Sequence, residues 1–446
     1  MRTQPANQLL MCRVLRSLVL LSLLGGGFAQ AASPRVKNTI DRIESPNRVR
    51  ENLLLPYLFS TDTMGLNLGV GGMIKGWHQD QMTLGATAFG GDVSRGVWAG
   101  VFNYQIEGTE RWFASAHGLW AYYPDQRAYA GGSIVPVPQG TPIPGSNDSS
   151  NSQYFEADGN SNWLDMRLEY ALPIGATANS GMVNYRLRQG LLVSEPSGGK
   201  EWNPMTSGAT VAMLRYFSRY QSFEFETQKL DGDFGAVELG LLYDNTDFAI
   251  NPSYGSRQWL SWSTDLDWVD SDFEWEFWQF SASKFFSFGE SDNAHQRVLA
   301  LNLWTGYSPS WELEFMDDGS RIIRGGAPYN EGATLGGFTR MRGYDLNRFH
   351  DKAALYVSAE YRYTLKYNPL AEVNWLRFLR LDWFQLVGFV EAGRVAPEYK
   401  LSTLTEEMKF DYGVSLRAMT AGLVVRADLA KSDEGTNLWL MVDHPF

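Results

Sequence analysis

Along much of this chain apolar and polar residues alternate one by one. In Leu164-Asp165-Met166-Arg167-Leu168-Glu169-Tyr170 every second residue is apolar and those between are charged. The alternation returns in Val183-Asn184-Tyr185-Arg186-Leu187-Arg188, in Leu260-Ser261-Trp262-Ser263-Thr264-Asp265-Leu266-Asp267-Trp268, and in Leu355-Tyr356-Val357-Ser358-Ala359-Glu360-Tyr361-Arg362-Tyr363. A period of two is that of a β-strand with one dry and one wet face. Roughly sixteen such segments occur between about Met64 and Phe446, with centres near 69, 85, 100, 116, 167, 187, 213, 240, 263, 278, 301, 359, 387, 414, 425 and 441. Each is about ten residues long, against the roughly 9–11 that a tilted strand needs to cross the hydrocarbon of a bilayer. An even count suits an up-and-down barrel. The pattern predicts an all-β fold, a single transmembrane antiparallel β-barrel of about 16 strands over residues 54–446.

A soluble sandwich would share the period, so the ends of the segments decide. Large aromatics sit there, and in Phe273-Glu274-Trp275-Glu276-Phe277-Trp278 the alternation slips at Phe277-Trp278, as a girdle or bulge would make it. The chain is 14% aromatic and 20% charged and carries 44 glycines. A membrane barrel spreads such aromatics over an outer face and two interfacial girdles. After Ala31 no window of 18 apolar residues occurs, so no transmembrane helix is available. At the other end Leu438, Leu440, Val442 and Phe446 are expected on one strand face, although His444 and Pro445 make that strand irregular. A terminal aromatic of this kind resembles the C-terminal insertion signal of outer-membrane barrels.

The N-terminus has Arg2, Arg13 and Arg16, an apolar run from Leu18 to Leu24, three glycines and Ala29-Gln30-Ala31. It reads as a secretory signal peptide, residues 1–31, cut after Ala31. Cys12 precedes the apolar run, so it is not a lipidation site, and the mature chain has no cysteine for a disulfide or thiolate metal site. The net charge of −12, more acidic once the signal is removed, argues against nucleic acid as a partner. Residues 32–53 form a short periplasmic N-terminal segment, too short to bury a core of its own.

Two connections are long. Residues 124–160 are rich in Gly, Pro, Ser and Asn and read as a solvent-exposed insertion. Counting strands places it on the periplasmic side, where turns are normally short, so either the count slips by one there or the insertion is real. The other, residues 308–352, falls on the outside and contains Leu335-Gly336-Gly337-Phe338-Thr339-Arg340-Met341-Arg342-Gly343-Tyr344. Gly-Gly-x-x-x-Met-Arg-Gly-Tyr resembles the Arg-Gly-Phe/Tyr loop signature of the BamA/TamA family of outer-membrane barrels, the bacterial surface antigen family. Further segments resemble that family in order: Met64 to Gly71 its first strand, Tyr243-Asp244-Asn245-Thr246-Asp247 with Pro252 and Gly255 another segment, and Val425-Arg426-Ala427-Asp428-Leu429-Ala430 its penultimate strand. Phe389-Val390-Glu391-Ala392-Gly393 resembles its Phe-x-Asp-x-Gly strand, with Glu for Asp. The resemblance spans about residues 54 to 446 and is strongest after about 330.

The resemblance implies a loop folded into the lumen. A buried guanidinium stranded without a partner costs about 3–5 kcal/mol, so Arg342 needs a carboxylate, and the wet-face residues Glu360 and Glu391 are the candidates. Gly336, Gly337 and Gly343 suit a hairpin threaded into a pore, with Tyr344 completing the signature. Charged pairs such as Arg167 with Glu169 read as lumen networks. Members that insert barrels or secrete proteins carry periplasmic POTRA domains; residues 32–53 leave no room for one, which implies a member without them.

The function expected is translocation or membrane insertion of a protein or lipid, with a passive porin-like channel plugged by the loop as the alternative. The expected partners are outer-membrane lipid, the barrel assembly machinery during biogenesis and a separate periplasmic protein. No feature specifically supports an adhesive surface role. No Gly-x-Ser-x-Gly, His-Glu-x-x-His or phosphate-cradling loop occurs, and the five histidines are scattered, so no catalytic residue, metal or cofactor is expected. A Ser-His-Asp set assembled from distant strands is the one enzymatic arrangement the sequence leaves open.

Overall fold

The computed structural model describes residues 34–446 apart from 46–49, 62–64, 130–131, 134–135, 226–227, 266–273, 329, 371–372 and 375–378. The signal peptide expected at residues 1–31, Cys12 included, lies outside the described residues, as do Met64 and Phe273.

In chain order the first strands are β1 (Asn38–Arg42), β2 (Glu51–Thr61), β3 (Gly65–Lys75), β4 (Thr83–Gly91), β5 (Arg95–Gln105), β6 (Trp112–Ala128) and β7 (Phe155–Ala171). Then come β8 (Val183–Arg188), β9 (Leu191–Leu192), β10 (Ala209–Phe225), β11 (Gln228–Thr246), β12 (Gly255–Asp265), β13 (Glu276–Ser287) and β14 (Ala294–Tyr307). Four short strands follow: β15 (Glu312–Phe315), β16 (Arg321–Arg324), β17 (Ala333–Leu335) and β18 (Phe349–Asp351). The chain closes with β19 (Ala353–Leu365), β20 (Leu381–Ala396), β21 (Lys409–Thr420), β22 (Leu423–Lys431) and β23 (Thr436–Val442).

Sixteen of these form one antiparallel sheet in the order β2-β3-β4-β5-β6-β7-β10-β11-β12-β13-β14-β19-β20-β21-β22-β23. Neighbours in this wall are neighbours in the chain, an up-and-down arrangement. Its dry face points outward: Leu239, Leu241, Leu260, Leu301, Leu303, Tyr361 and Val390 are exposed, while Glu238, Ser261, Asn302, Glu360 and Glu391 on the same strands are buried inside. This inversion of the soluble rule is what a bilayer solvent requires. The sheet ends, β2 and β23, share no ladder among the described residues. Leu53 of β2 packs against Val425 and Val442 instead, so apolar side chains bridge the seam.

The total of sixteen agrees with the sequence reading, but its membership differs at two places. Val183–Arg188, expected as a wall strand, is β8, which pairs in parallel with β1 and antiparallel with β9 in a separate three-stranded sheet. Its dry face is real, but Tyr185 and Leu187 spend it on Val36, Phe248, Trp383 and Val424 at the barrel mouth rather than on lipid. Conversely β2 enters the wall from Glu51, hidden in the sequence because Leu53-Leu54-Leu55 does not alternate. The Gly65–Gly71 stretch is therefore in the second wall strand, not the first.

Those two differences settle the long loop. The connection from β6 to β7 lies at the same end of the barrel as that from β14 to β19, and the two touch through a bridge between Val137 and Arg321. The insertion belongs with the long outer loops and not on the periplasmic side. It is also not wholly solvent-exposed, since Tyr129, Asn147 and Ser149 are buried over the mouth.

The slip at Phe277-Trp278 is not a bulge, because β13 keeps continuous register with both neighbours. Trp278 faces out, and Phe277 faces a lumen that is apolar at this level.

Candidate functional site: a lumen loop held by buried charges

The chain between β14 and β19 first makes the hairpin β15–β16 and then turns into the barrel through the short pair β17–β18. Ala333, Leu335, Met341, Tyr344 and Phe349 of this segment pack with Phe217, Trp275, Phe277, Trp304 and Tyr356 of the wall in one cluster. The apolar inner residues near this end of the barrel thus serve as the seat of the loop.

Gly336 and Gly337 both hold φ near 108°, in the half of backbone space that side chains avoid. Gly343 is needed for approach: a Cβ there would stand 2.6 Å from Asp411 Cβ and 2.9 Å from the Lys431 carbonyl carbon. The loop backbone lies directly on β21 and β22.

Between these glycines Arg342 is fully buried. Its Nε donates to Glu391 Oε1 at 3.0 Å, Nη2 to Glu360 Oε1 at 3.0 Å and Nη1 to Asp428 Oδ2 at 3.4 Å. Its backbone N–H donates to the second oxygen of Glu391 at 2.6 Å. The guanidinium stands 3.5 Å from the Phe389 ring centroid. Both sequence-nominated carboxylates are therefore at Arg342. Glu in place of Asp on β20 has a clear geometric use, since one carboxylate spans the side chain and the main chain of the same arginine.

The cradle is larger than the sequence suggested. Glu360 also binds Arg417 at 2.7 Å and Arg362 at 2.8 Å, and Asp428 binds Arg426. Asp411 accepts from the Gly343 N–H at 3.1 Å, and Tyr356 donates to Glu391 at 2.5 Å. Arg342, Arg362, Arg417 and Arg426 face Glu360, Glu391, Asp411 and Asp428 in a space where every one of them is at least 96% buried. Leaving any one charge unpaired there is expensive, so the network fixes a single loop position.

Other bonds tie the loop to the last strands at the seam. Trp439 Nε1 donates to the Arg342 carbonyl at 2.8 Å and Arg426 Nη2 to the Phe338 carbonyl at 2.6 Å. Tyr344 donates to Asp433 at 2.6 Å, and burial followed by this bond raises its phenol above the ordinary value. Arg348 binds Glu434 at 2.8 Å and donates to Ser149 Oγ at 2.9 Å, joining the two outer loops.

The opposite wall holds the loop with reversed polarity. Glu331, on the approach to β17, meets Arg219 at 2.5 Å and Arg215 at 3.7 Å. Arg215 in turn binds Asp165 at 2.6 Å and Glu238 at 2.9 Å. Burial holds the Glu331 carboxyl above its ordinary range, against the pull of Arg219 and Arg215. Sequence reasoning missed this second anchor. The available signal was Arg215 and Arg219 on one wet face, two cations needing acids, in a stretch where the strand pattern is weak.

The pair Arg167 and Glu169 separates in the structure. Arg167 binds Asp165 at 3.0 Å, and Glu169 binds Lys37 of the N-terminal segment at 2.6 Å. The Tyr243-to-Gly255 segment is a hydrogen-bonded turn at the β11–β12 end, with Asp244 bound to Arg257 at 2.8 Å and Asp247 accepting from Ser253 N–H at 2.8 Å. Phe446 does not share the outward face of Leu438. Beyond β23 the chain turns at Asp443, φ 72°, and Phe446 packs with Phe285 and lies 5.2 Å from Arg362 on the inner side.

The profile of the Omp85 superfamily domain matches residues 146–437, more than half of the chain. Solved structures similar to it include CdiB from Escherichia coli, at 11% identity over 89% of this chain and 60% of that one, with a TM-score of 0.52. CdiB from Acinetobacter baumannii gives 12% identity over 87% of this chain and 59% of that one, TM-score 0.48. BamA from Haemophilus ducreyi lacking POTRA domains 1-3 gives 12% identity over 99% and 79%, TM-score 0.41. The chain thus spans about 60% of the length of the CdiB chains it matches. No curated protein matches. The sixteen-stranded wall with its dry face outward, the lumen loop and the matched domain lead to one conclusion: this chain belongs to the Omp85 superfamily of Gram-negative outer-membrane barrels.

Proposed function

We propose that this protein moves a polypeptide or a lipid into or across the outer membrane, and that the Arg342 loop is its gate. The observation that carries the reading is where the loop is fastened. Its bonds reach Asp428 on β22 and Trp439 on β23, the strands that end the sheet, while Leu53 meets Val425 and Val442 across a seam with no ladder among the described residues. A loop so placed supports one lip of the seam, and its release frees that lip.

A separate periplasmic partner protein would meet the N-terminal segment and the turns at that end. Lys37 and Val36 are buried in the mouth, and Arg42 binds Asp382 at 2.7 Å, so this segment closes the lower end while the loop fills the upper.

The test is single-channel conductance in planar bilayers for the natural chain and a deletion of residues 330–349. The gate reading expects small, flickering currents that become large and steady on deletion. Equally large currents in both would make the protein a passive pore.

A further inference from the structure

We propose that the outer wall over β3–β7 carries a binding site for a phosphate-headed lipid of the outer leaflet. The site lies on the lipid-facing side of the sheet, apart from the lumen, and the inference stands independently of the gate reading.

On the outward face of this wall β4 presents the small residues Ala88 and Gly90. With Leu68, Val70, Val97 and Trp120 around them, they line a shallow groove of about 830 Å³ that is open toward the lipid, where acyl chains can lie. An apolar groove in a barrel wall would by itself fill with any hydrocarbon. The rim makes this one selective.

At its outer end stand Arg95, Tyr122, Asn160 and Asn162. Arg95 opens β5 immediately after the short turn from β4, opposite Tyr122, and its guanidinium lies 5.6 Å from the centre of that ring. Among the described residues its guanidinium has no ion pair or hydrogen bond. β6 runs on to Ala128 beyond this level, so Arg95 sits at the outer end of the shorter strands, at the headgroup boundary. An arginine facing lipid is tolerated there and not at mid-depth. A planar guanidinium on an aromatic ring, with its edge free, matches a phosphate that accepts two parallel N–H bonds. Phosphate at the rim and acyl chains over Ala88 and Gly90 use both halves of the site.

The experiment is native mass spectrometry of the purified barrel with two probes, a bis-phosphorylated acylated disaccharide and its dephosphorylated form. Two variants separate head from tail. Arg95→Ala removes the cation, and Gly90→Leu fills the groove at a position where a Cβ meets nothing within 4 Å. Heat-modifiable migration verifies that both fold. Loss of a charge-assisted phosphate contact corresponds to about tenfold in affinity. The expected result is that the natural chain prefers the phosphorylated probe by about that factor, Arg95→Ala abolishes the preference, and Gly90→Leu weakens both probes. Equal binding of the two probes by the natural chain overturns the proposal, as does a Gly90→Leu variant that binds like the natural chain.

Discussion

One carboxylate, that of Glu391, receives both the backbone N–H of Arg342 at 2.6 Å and its Nε–H at 3.0 Å. The pair therefore fixes the path of the loop backbone as well as the direction of the side chain. A lysine at 342 would keep the charge and lose this geometry.

Replacing Arg342 by Ala leaves Glu360, Glu391 and Asp428 facing one another around an empty site. The expected cost is about 3–5 kcal/mol of stability, read as a lower urea midpoint in lipid vesicles, with faster protease cleavage within 330–349 and larger conductance. Unchanged midpoint and cleavage would exclude an anchored loop. Exchanging the pair as Arg342→Glu with Glu391→Arg is expected not to rescue, because the new glutamate would face Glu360 and Asp428. Full recovery by the exchange would mean that Glu391 alone holds the loop.

The anchor on the far wall predicts a graded release. Glu331→Gln removes the charge facing Arg219 and Arg215 and leaves the Arg342 cradle intact. The two networks stand on opposite walls of the lumen, so stability costs should add within about 0.5 kcal/mol. Conductance should behave differently, rising modestly in each single variant and steeply with Arg342→Ala and Glu331→Gln together. A double variant no more conductive than Arg342→Ala would show that Glu331 does not restrain the loop.

Acid should loosen the loop through His350. It is 4% exposed and packs edge-on against Trp311 at 4.9 Å, and burial pushes its imidazole from 6.5 down to about 3. The folded loop prefers the neutral ring, so its contribution is complete above pH 6.5 and is lost as pH falls toward 3. Asp351 works in the opposite sense. Burial pushes it from 3.8 up to about 6, so the stability it lends is present at low pH and fades as pH rises through 6. Comparing His350→Phe with the natural chain at each pH isolates the histidine. The variant should show a smaller rise in loop cleavage between pH 7 and 4; parallel profiles would refute the assignment.

Deleting Phe446 removes a ring packed against Phe285 and Arg362. The expectation is slower membrane assembly, seen as a persistent fraction lacking heat-modifiable migration. Normal assembly of the deletion would remove any role of the terminal aromatic in insertion.

The sequence by itself determined the class of fold, since alternation is a property of a strand and its two solvents and is written residue by residue. It also determined that Arg342 needs carboxylates, because desolvation penalises an unpaired guanidinium wherever it is buried, and Glu360 and Glu391 stand on wet faces of nearby strands. Only the tertiary structure decided which dry faces meet lipid. Val183–Arg188 alternates as well as any wall strand and yet packs beneath the barrel, while β2, with its run of leucines, enters the wall. The reach of the loop across the lumen to Arg219, and the inward turn of Phe446, were equally beyond the sequence. A period of two says that a strand has two unlike faces; what lies against each face depends on elements far away in the chain, which only folding brings together.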